Sequence, residues 1–139
     1  MAEVTAATKS WLALKGQIVT AAGTLPVAWP GEAFAPDSAY LAVSEVMTPA
    51  ERRSLRAADP HRLRGSIILR LSIPMSDKQE REVWREAAAQ IATAFPADLL
   101  LEYDGQSVRV REKASVTGAY QDGGWWHQTV QLRYETSLQ

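Results

Sequence analysis

Apolar residues recur at intervals of three and four near the start of the chain. This spacing places them on one side of a helix and predicts a first helix over residues 4–21, ended by Gly23. The apolar stripe consists of Val4, Ala7, Trp11, Leu14, Ile18 and Ala21.

A second stretch with helical spacing runs from Asp77 to about Ala94. Asp77 with Glu80 three residues later resembles a capping box, and Pro96 supplies a stop. Charged residues are expected to pair on its solvent side, Glu80, Glu82 and Glu86 with Lys78, Arg81 and Arg85. Its apolar stripe comprises Val83, Trp84, Ala87, Ala88, Ile91 and Phe95.

Alternation of apolar and polar residues predicts the strands. It is clearest in "RLRGSIILRLSIP", residues 62–74, and weaker patterns predict a short edge strand at Val27–Trp29 and a strand at Tyr40–Met47. The last predicted strand spans about Trp125–Tyr134. The residues expected to face the core are Leu63, Ile67, Leu69, Leu71 and Ile73, followed by Trp126, Gln128, Val130, Leu132 and Tyr134.

Residues 99–112, "LLLEYDGQSVRVRE", are typical of a hairpin, because Asp104-Gly105 suits a two-residue type I′ turn. The predicted elements follow the order α-β-β-α-β-β-β. Hairpin-like connections favour an α+β fold, in which a largely antiparallel sheet has two helices packed on one face. We expect one domain over residues 1–139 with an exposed loop at about 48–64, where a short helical turn fits Ala50–Ala57.

Composition narrows the class of protein. The 139 residues are 46% hydrophobic and 22% charged, with a net charge of -1, which argues against a general nucleic-acid binder. The absence of cysteine excludes disulfides, thiolate metal sites and cysteine nucleophiles. The N-terminal segment lacks the apolar core of a signal peptide, and no run approaches the roughly 20 apolar residues that span a bilayer. We therefore expect a soluble protein without a membrane partner.

Positive charge is concentrated in one part of the chain. Residues 48–74 hold six arginines against Glu51 and Asp59, a local excess of four positive charges. The loop at about 48–64 is interpreted as a solvated excursion, or as a segment that meets an acidic partner surface or passing nucleic acid.

The two histidines do not form a catalytic or metal-binding motif. His127 is expected on the polar face of the last strand, beside Trp125 and Thr129, where a structural or interface role is favoured over that of a base. His61 has no partner at metal-ligand spacing. No phosphate-cradling or dinucleotide motif is present, so neither a metal nor a cofactor is expected.

Five tryptophans are many for this length. Trp11 and Trp84 lie on the helix stripes and are expected in the core. Trp29, beside a proline, and Trp125, on the polar face of a strand, are less easily buried within one copy. They indicate either a subunit contact or a cover provided by the proline-rich loop.

The order and spacing of several segments resemble a known family. They are "LPVAWPGEAFAPDSAYLAVSEV", "HRLRGSIILRLSIP", a helix ending "IATAFP", "LEYDGQSVRV" and "DGGWWHQTVQLRYE". Together they are similar to the small tail terminator proteins of long-tailed bacteriophages and prophages of the lambda type. The resemblance covers essentially the whole chain.

This resemblance implies an α+β protein that is not an enzyme and forms a hexameric ring. The ring would sit on the end of the tail tube, stop its polymerisation and present a surface to head–tail connector proteins. Genome DNA would pass through the lumen without specific binding. The protein would belong to the virion tail and assemble in the cytoplasm of the bacterial host.

Two groups of residues are assigned roles as hypotheses. Trp29, Phe34, Trp125 and His127 are placed at the subunit contact. Arg52, Arg53 and Arg56 are placed near the lumen or the tube-facing rim. These arginines lie in a loop that varies greatly in such families, so the resemblance assigns them no role.

Three other interpretations stay open. One is a head–tail connector or completion subunit. Another is a small hydrolase that pairs His127 with Glu102 or Glu112. The third is a ligand-binding module with an aromatic pocket around Trp125 and Trp126.

Overall fold

A computed structural model of the chain describes residues 5–32, 38–47, 51–52, 61–76 and 79–138. The helices within these residues are α1 (Ala6–Ala22) and α2 (Arg81–Thr93). The strands are β1 (Val27–Ala28), β2 (Tyr40–Met47), β3 (Glu51–Arg52), β4 (His61–Pro74), β5 (Leu100–Tyr103), β6 (Gln106–Val110), β7 (Ser115–Val116), β8 (Tyr120–Asp122) and β9 (Trp125–Leu138).

Helix α1 has the boundaries that its sequence predicts to within two residues. The Thr5 side chain accepts a hydrogen bond from the Thr8 amide, and Gly23 ends the helix at a φ of 61°, where glycine lacks the steric cost of a side chain. Leu14 and Ile18 are fully buried. The first turn differs from the prediction, because Ala7 is exposed and Val4 lies outside the described residues.

Helix α2 begins later than its sequence predicts. Glu80 is its N-cap, with an extended backbone and no side-chain hydrogen bond, and the helix starts at Arg81. The predicted capping box is therefore wrong, and Asp77 itself lies outside the described residues. Trp84 and Ile91 are buried as expected, whereas Val83 is 50% exposed and does not belong to the core.

The strands form one sheet in the order β1-β2-β4-β9-β6-β5, with β3 paired to β4 and with β7 and β8 paired to β9. Strand β1 runs parallel to β2, and the other pairs are antiparallel. The central pair is β4–β9, which stays in register from His61 opposite Leu138 to Pro74 opposite Trp125. The predicted α+β class and element order are confirmed.

The core lies between the sheet and the two helices. The predicted inward residues of β4 and β9 are all buried. All of them except Leu63 and Gln128 cluster with Leu14 and Ile18 of α1 and with Trp84 and Ile91 of α2. Both helices therefore pack on the same face of the sheet. The opposite face carries no helix within the described residues, and we call it the helix-free face.

The predicted loop at 48–64 is shorter than expected. Strand β4 already begins at His61, and β3 pairs with its first two residues. Glu51 and Arg52 are extended, so the helical turn predicted at Ala50–Ala57 is wrong at these two positions. The rest of that loop lies outside the described residues. Strand β9 also runs four residues beyond the predicted end, to Leu138.

Candidate assembly surfaces

His127 lies on the helix-free face but is not exposed as predicted. Only 7% of its surface is accessible, and its Nδ1 lies 2.8 Å from Ser72 Oγ. The Arg70 guanidinium donates to the same oxygen from Nε at 3.2 Å and to the Tyr40 hydroxyl at 3.1 Å. His127 is thus one member of a hydrogen-bonded row that crosses three strands.

This environment does not suit a catalytic base. Burial, together with the positive charge of Arg70, holds the pKa of His127 below its usual value, against a smaller opposing effect of Asp122. The two proposed carboxylate partners lie elsewhere: Glu102 accepts from Ser107, and Glu112 pairs with Arg133, roughly 20 Å from His127 along β9. The described residues therefore contain no histidine–carboxylate pair at His127 of the kind that the hydrolase interpretation requires.

A glycine turn explains why His127 is covered. Gly123 and Gly124 have φ angles of 58° and 81° and join β8 to β9 as a tight hairpin, which sets Tyr120 opposite His127. The two rings lie 5.0 Å apart. The Gly-Gly pair followed by a strand pattern was the sequence signal that could have predicted this cover.

Trp29 and Trp125 do not come together. Trp29 is half-buried against α1, where its ring meets Trp11 edge-on at 6.0 Å and the Lys15 ammonium lies 4.8 Å from its centre. Trp125 is half-buried on the helix-free face, edge-on to Tyr40 at 5.4 Å. The two tryptophans therefore lie on opposite sides of the sheet, and Phe34 lies outside the described residues.

The arginines whose contacts the structure describes differ from the three loop arginines that the sequence singled out. The backbone of Arg52 pairs with His61 in β3, its side chain is not described, and Arg53 and Arg56 lie outside the described residues. Instead, the helix-free face carries arginines from three neighbouring strands. The sequence indicates them by alternation, because they occupy positions of β4, β6 and β9 that face away from the core. They are Arg62, Arg64, Arg70, Arg109 and Arg133.

Glu135 is the carboxylate at the centre of this face. Its side chain, 20% exposed, accepts two hydrogen bonds from Arg109, and its second oxygen lies 3.8 Å from Arg64 Nε. The hydrogen bonds from Arg109 hold the pKa of Glu135 below its usual value. Asp98 forms a further ion pair with Arg109 at 2.6 Å. These contacts tie β9 to its neighbours β4 and β6 and leave the face rich in hydrogen-bond donors.

The geometry describes a protein with two unlike sides, and within the described residues no group of three or more metal-ligating side chains is present. A family model described as phage tail terminator protein matches residues 9–134. The chain belongs to this family. The match assigns it a structural role in phage tail assembly.

A comparison with solved structures agrees with the fold of this tail terminator family member. One solved chain superposes with a TM-score of 0.68 at 20% sequence identity, covering 96% of this chain and 95% of that chain. At this identity the likeness concerns the fold alone. No curated protein matches the chain. Among the described helices, neither is long and apolar enough to cross a bilayer.

The sheet of this terminator has two different open edges within the described residues. At one end, the Leu41 amide donates to the carbonyl of Pro26, the residue before β1. The amides of Val43 and Glu45 point to the same side of β2, beyond the end of β1. At the other end, β5 pairs with β6 alone and exposes Leu100 and Tyr103, which are 63% and 43% accessible. Open edges of this kind are sites where another chain can add a strand.

Proposed function

We propose that this chain closes into a ring that caps the tail tube, ends its polymerisation and presents the surface to which the head is joined. The observation that carries the proposal is the difference between the two sides of the subunit. Within the described residues, helices cover one face of the sheet, the opposite face carries no helix and is rich in arginine, and the two open edges are unlike.

Unlike edges favour a ring over a two-fold dimer. When one patch of a protein contacts a different patch on the next copy, the contact is heterologous and repeats until a ring closes. A hexamer is the ring size that the family resemblance implies. A ring whose two sides differ also stops growth by shape, because one side matches the tube and the other offers no such match.

The subunit contact is placed at the aromatic residues on both sides of the sheet. Trp29 on the helix side and Trp125 on the helix-free side would belong to the two different surfaces that a heterologous contact needs. Phe34 is assigned to the same contact from its sequence position. His127 would contribute to this contact indirectly, through the Tyr120 ring that lies 5.0 Å from its own.

The remaining assignments concern the ring as a whole. Arg52, Arg53 and Arg56 would lie near the lumen or on the rim that faces the tube. The tail tube protein would bind one side of the ring and head–tail connector proteins the other, while genome DNA passes through the lumen without specific binding. The working location is the virion tail, after assembly in the bacterial host cytoplasm.

Tube length is the quantity that tests this function. Purified protein is added to its cognate tube subunits during polymerisation, and lengths are measured by electron microscopy. We expect a narrow, shorter distribution, whereas unchanged lengths would contradict the proposal. Loss of the protein in the phage should give overlong tails; normal tails beside unattached heads would instead support a head–tail connector.

Charge reversal tests the loop arginines separately. Arg52→Glu, Arg53→Glu and Arg56→Glu, each made singly, are expected to alter tail length or particle yield. Glu86→Lys on α2 is the matched control, since this exposed side chain contacts only Gln90 of its own helix among the interactions seen. If all three reversals behave like the control, the assignment of these arginines is wrong, although the ring proposal stands.

A further inference from the structure

A cleft of about 260 Å³ lies between the start of α2 and strand β8. It is separate from the aromatic contacts at Trp29, and it borders the row around His127 at Tyr120. Its walls are formed by Arg81, Arg85, Ala119, Tyr120, Gln121 and Trp126.

The polar groups of this cleft are mainly hydrogen-bond donors. The Arg81 guanidinium lies 4.0 Å from the centre of the Trp84 ring, which holds it in place without neutralising its charge. Arg85 forms no ion pair with the described residues, and Glu86, one of the glutamates predicted to pair along this helix, accepts from Gln90 instead. Two guanidinium groups with the Gln121 amide nearby suit carboxylates.

The end of the β5–β6 hairpin has the opposite character. Glu102 and Asp104 flank Tyr103, which is 43% exposed, and the Asp104 side chain is 71% exposed. Asp104 contacts Lys9 at 3.0 Å and Glu102 contacts Ser107 at 3.4 Å. A carboxylate can accept about four hydrogen bonds, so both groups keep capacity for a partner.

The cleft and the hairpin end lie too far apart to meet within one chain. Trp126 lines the cleft near the start of β9, whereas Thr136, opposite the hairpin residue Val108, lies near its end. Ten residues of strand separate them, or roughly 33 Å. Two complementary patches at opposite ends of a subunit can pair only between copies, and such a contact is heterologous.

We propose that the α2–β8 cleft binds the hairpin end of a second copy of this chain, with Arg81 and Arg85 receiving Glu102 and Asp104. The exposed Tyr103 ring then packs at the rim of the cleft beside Tyr120, which is 47% exposed. This contact rests on the proposed ring function and names one of its subunit interfaces by chemistry.

The absence of cysteine from the chain makes a direct test possible. Ser107→Cys, next to the hairpin carboxylates, and Gln121→Cys, in the cleft wall, are combined in one chain that keeps both arginines. These positions are too far apart for a disulfide within one copy, which requires Cα atoms within about 7 Å. Oxidation during assembly on tubes should give a ladder of linked oligomers that ends in a closed ring.

Two controls separate this contact from random oxidation. Ser107→Cys combined with Gln90→Cys places the second thiol on the exposed side of α2, away from the cleft, and it should give no ladder. Adding Arg85→Glu to the Ser107→Cys/Gln121→Cys chain should lower the ladder yield at least tenfold. Glu102→Lys added to that charge-reversed chain should restore the yield, because the opposite charges are then exchanged.

The outcomes distinguish the contact from the function. If tubes are terminated at normal length but no ladder forms, or if Arg85→Glu leaves the yield unchanged, the contact is wrong and the ring proposal survives. If the wild-type chain does not limit tube length, the proposed function falls. In that case the oxidation is repeated on concentrated protein without tubes. A ladder there supports the contact, and no ladder contradicts it.

Discussion

Ser72 and His127 face each other across the central strand pair, and Ser72 Oγ lies 2.8 Å from His127 Nδ1. Because Arg70 Nε already donates to that oxygen, the serine hydroxyl is free to donate to the imidazole. A neutral His127 satisfies this arrangement. A protonated one would direct a second cationic donor at the same oxygen.

The first prediction concerns stability at mildly acidic pH. Burial and Arg70 hold the pKa of His127 below the value of about 6.5 expected in the unfolded chain. The unfolded state therefore binds more protons, and the stabilisation from neutral His127 is fully present above about pH 6.5 and is lost as the pH falls below it.

NMR titration of the His127 ring and urea unfolding between pH 7 and pH 5 check this prediction. His127→Gln, which does not titrate, should lose less stability than the wild type over this range. A His127 pKa at or above 6.5, or equal losses in the two proteins, would contradict it.

A second prediction rests on the close approach of Gly65 to Tyr134. A Cβ at position 65 would lie 2.5 Å from the tyrosine oxygen and 2.6 Å from Cζ. Tyr134 is 1% exposed and lies in the packed core, so the ring has little room to move. We expect Gly65→Ala to lower the free energy of unfolding by about 1–3 kcal/mol.

Gly16→Ala is the matched control for this substitution. Nothing lies within 4 Å of a Cβ at Gly16, which is exposed in the middle of α1. Alanine should therefore stabilise the protein by about 0.5–1 kcal/mol through helix propensity. Urea unfolding of both variants measures the contrast, and equal effects would show that Tyr134 yields to the new methyl group.

Periodicity predicted the central part of this fold because, in a strand with one face on the core, alternation alone decides which side chains are buried. Every inward residue of β4, from Leu63 to Ile73, is buried as its parity indicates. The hairpin turn at Asp104-Gly105 was also predictable, since φ angles of 47° and 82° need these residue types.

The errors arose where one element covers another. Parity placed His127 on the correct face but gave no information about β8, which turns back through Gly123-Gly124 and pairs alongside β9, bringing the Tyr120 ring against His127. The start of α2 was predicted too early because the capping-box pattern indicated Asp77 as the N-cap. In the structure the backbone is still extended at Glu80, which is the N-cap. The arginine cleft was missed because nothing in the sequence shows that Arg81 stacks on Trp84 rather than pairing with a glutamate.

A third prediction concerns Glu135. Replacing this carboxylate by glutamine removes the charge from its bonds with Arg109 and from its contact with Arg64 at 3.8 Å. We expect Glu135→Gln to cost about 1.5–3 kcal/mol at pH 7. Because the pKa of Glu135 is lowered, its stabilisation is present above the unfolded value of about 4.3 and is lost as the pH falls through the folded value.

Chemical unfolding of the wild type and Glu135→Gln at pH 7 and near pH 3 measures this effect. The difference between the two proteins should shrink at the lower pH. Glu112→Gln is the control, because Glu112 pairs with Arg133 at 3.6 Å and both side chains are more than half exposed. Its effect should stay below about 0.5 kcal/mol, and a larger one would show that exposed pairs on this face matter as much as Glu135.

The last prediction separates the packing of Trp84 from its polar atom. The indole is 1% exposed and packs 5.4 Å from Trp126, yet no acceptor among the described residues lies within hydrogen-bonding distance of its Nε1. Trp84→Ala should cost about 3–5 kcal/mol by opening a cavity. Trp84→Phe keeps most of the ring contacts and removes the unpaired N–H, so it should cost less than about 1.5 kcal/mol. Urea unfolding of the two variants gives both values. A phenylalanine variant as unstable as the alanine variant would mean that the N–H has a partner or that the second ring of the indole supplies most of the packing energy.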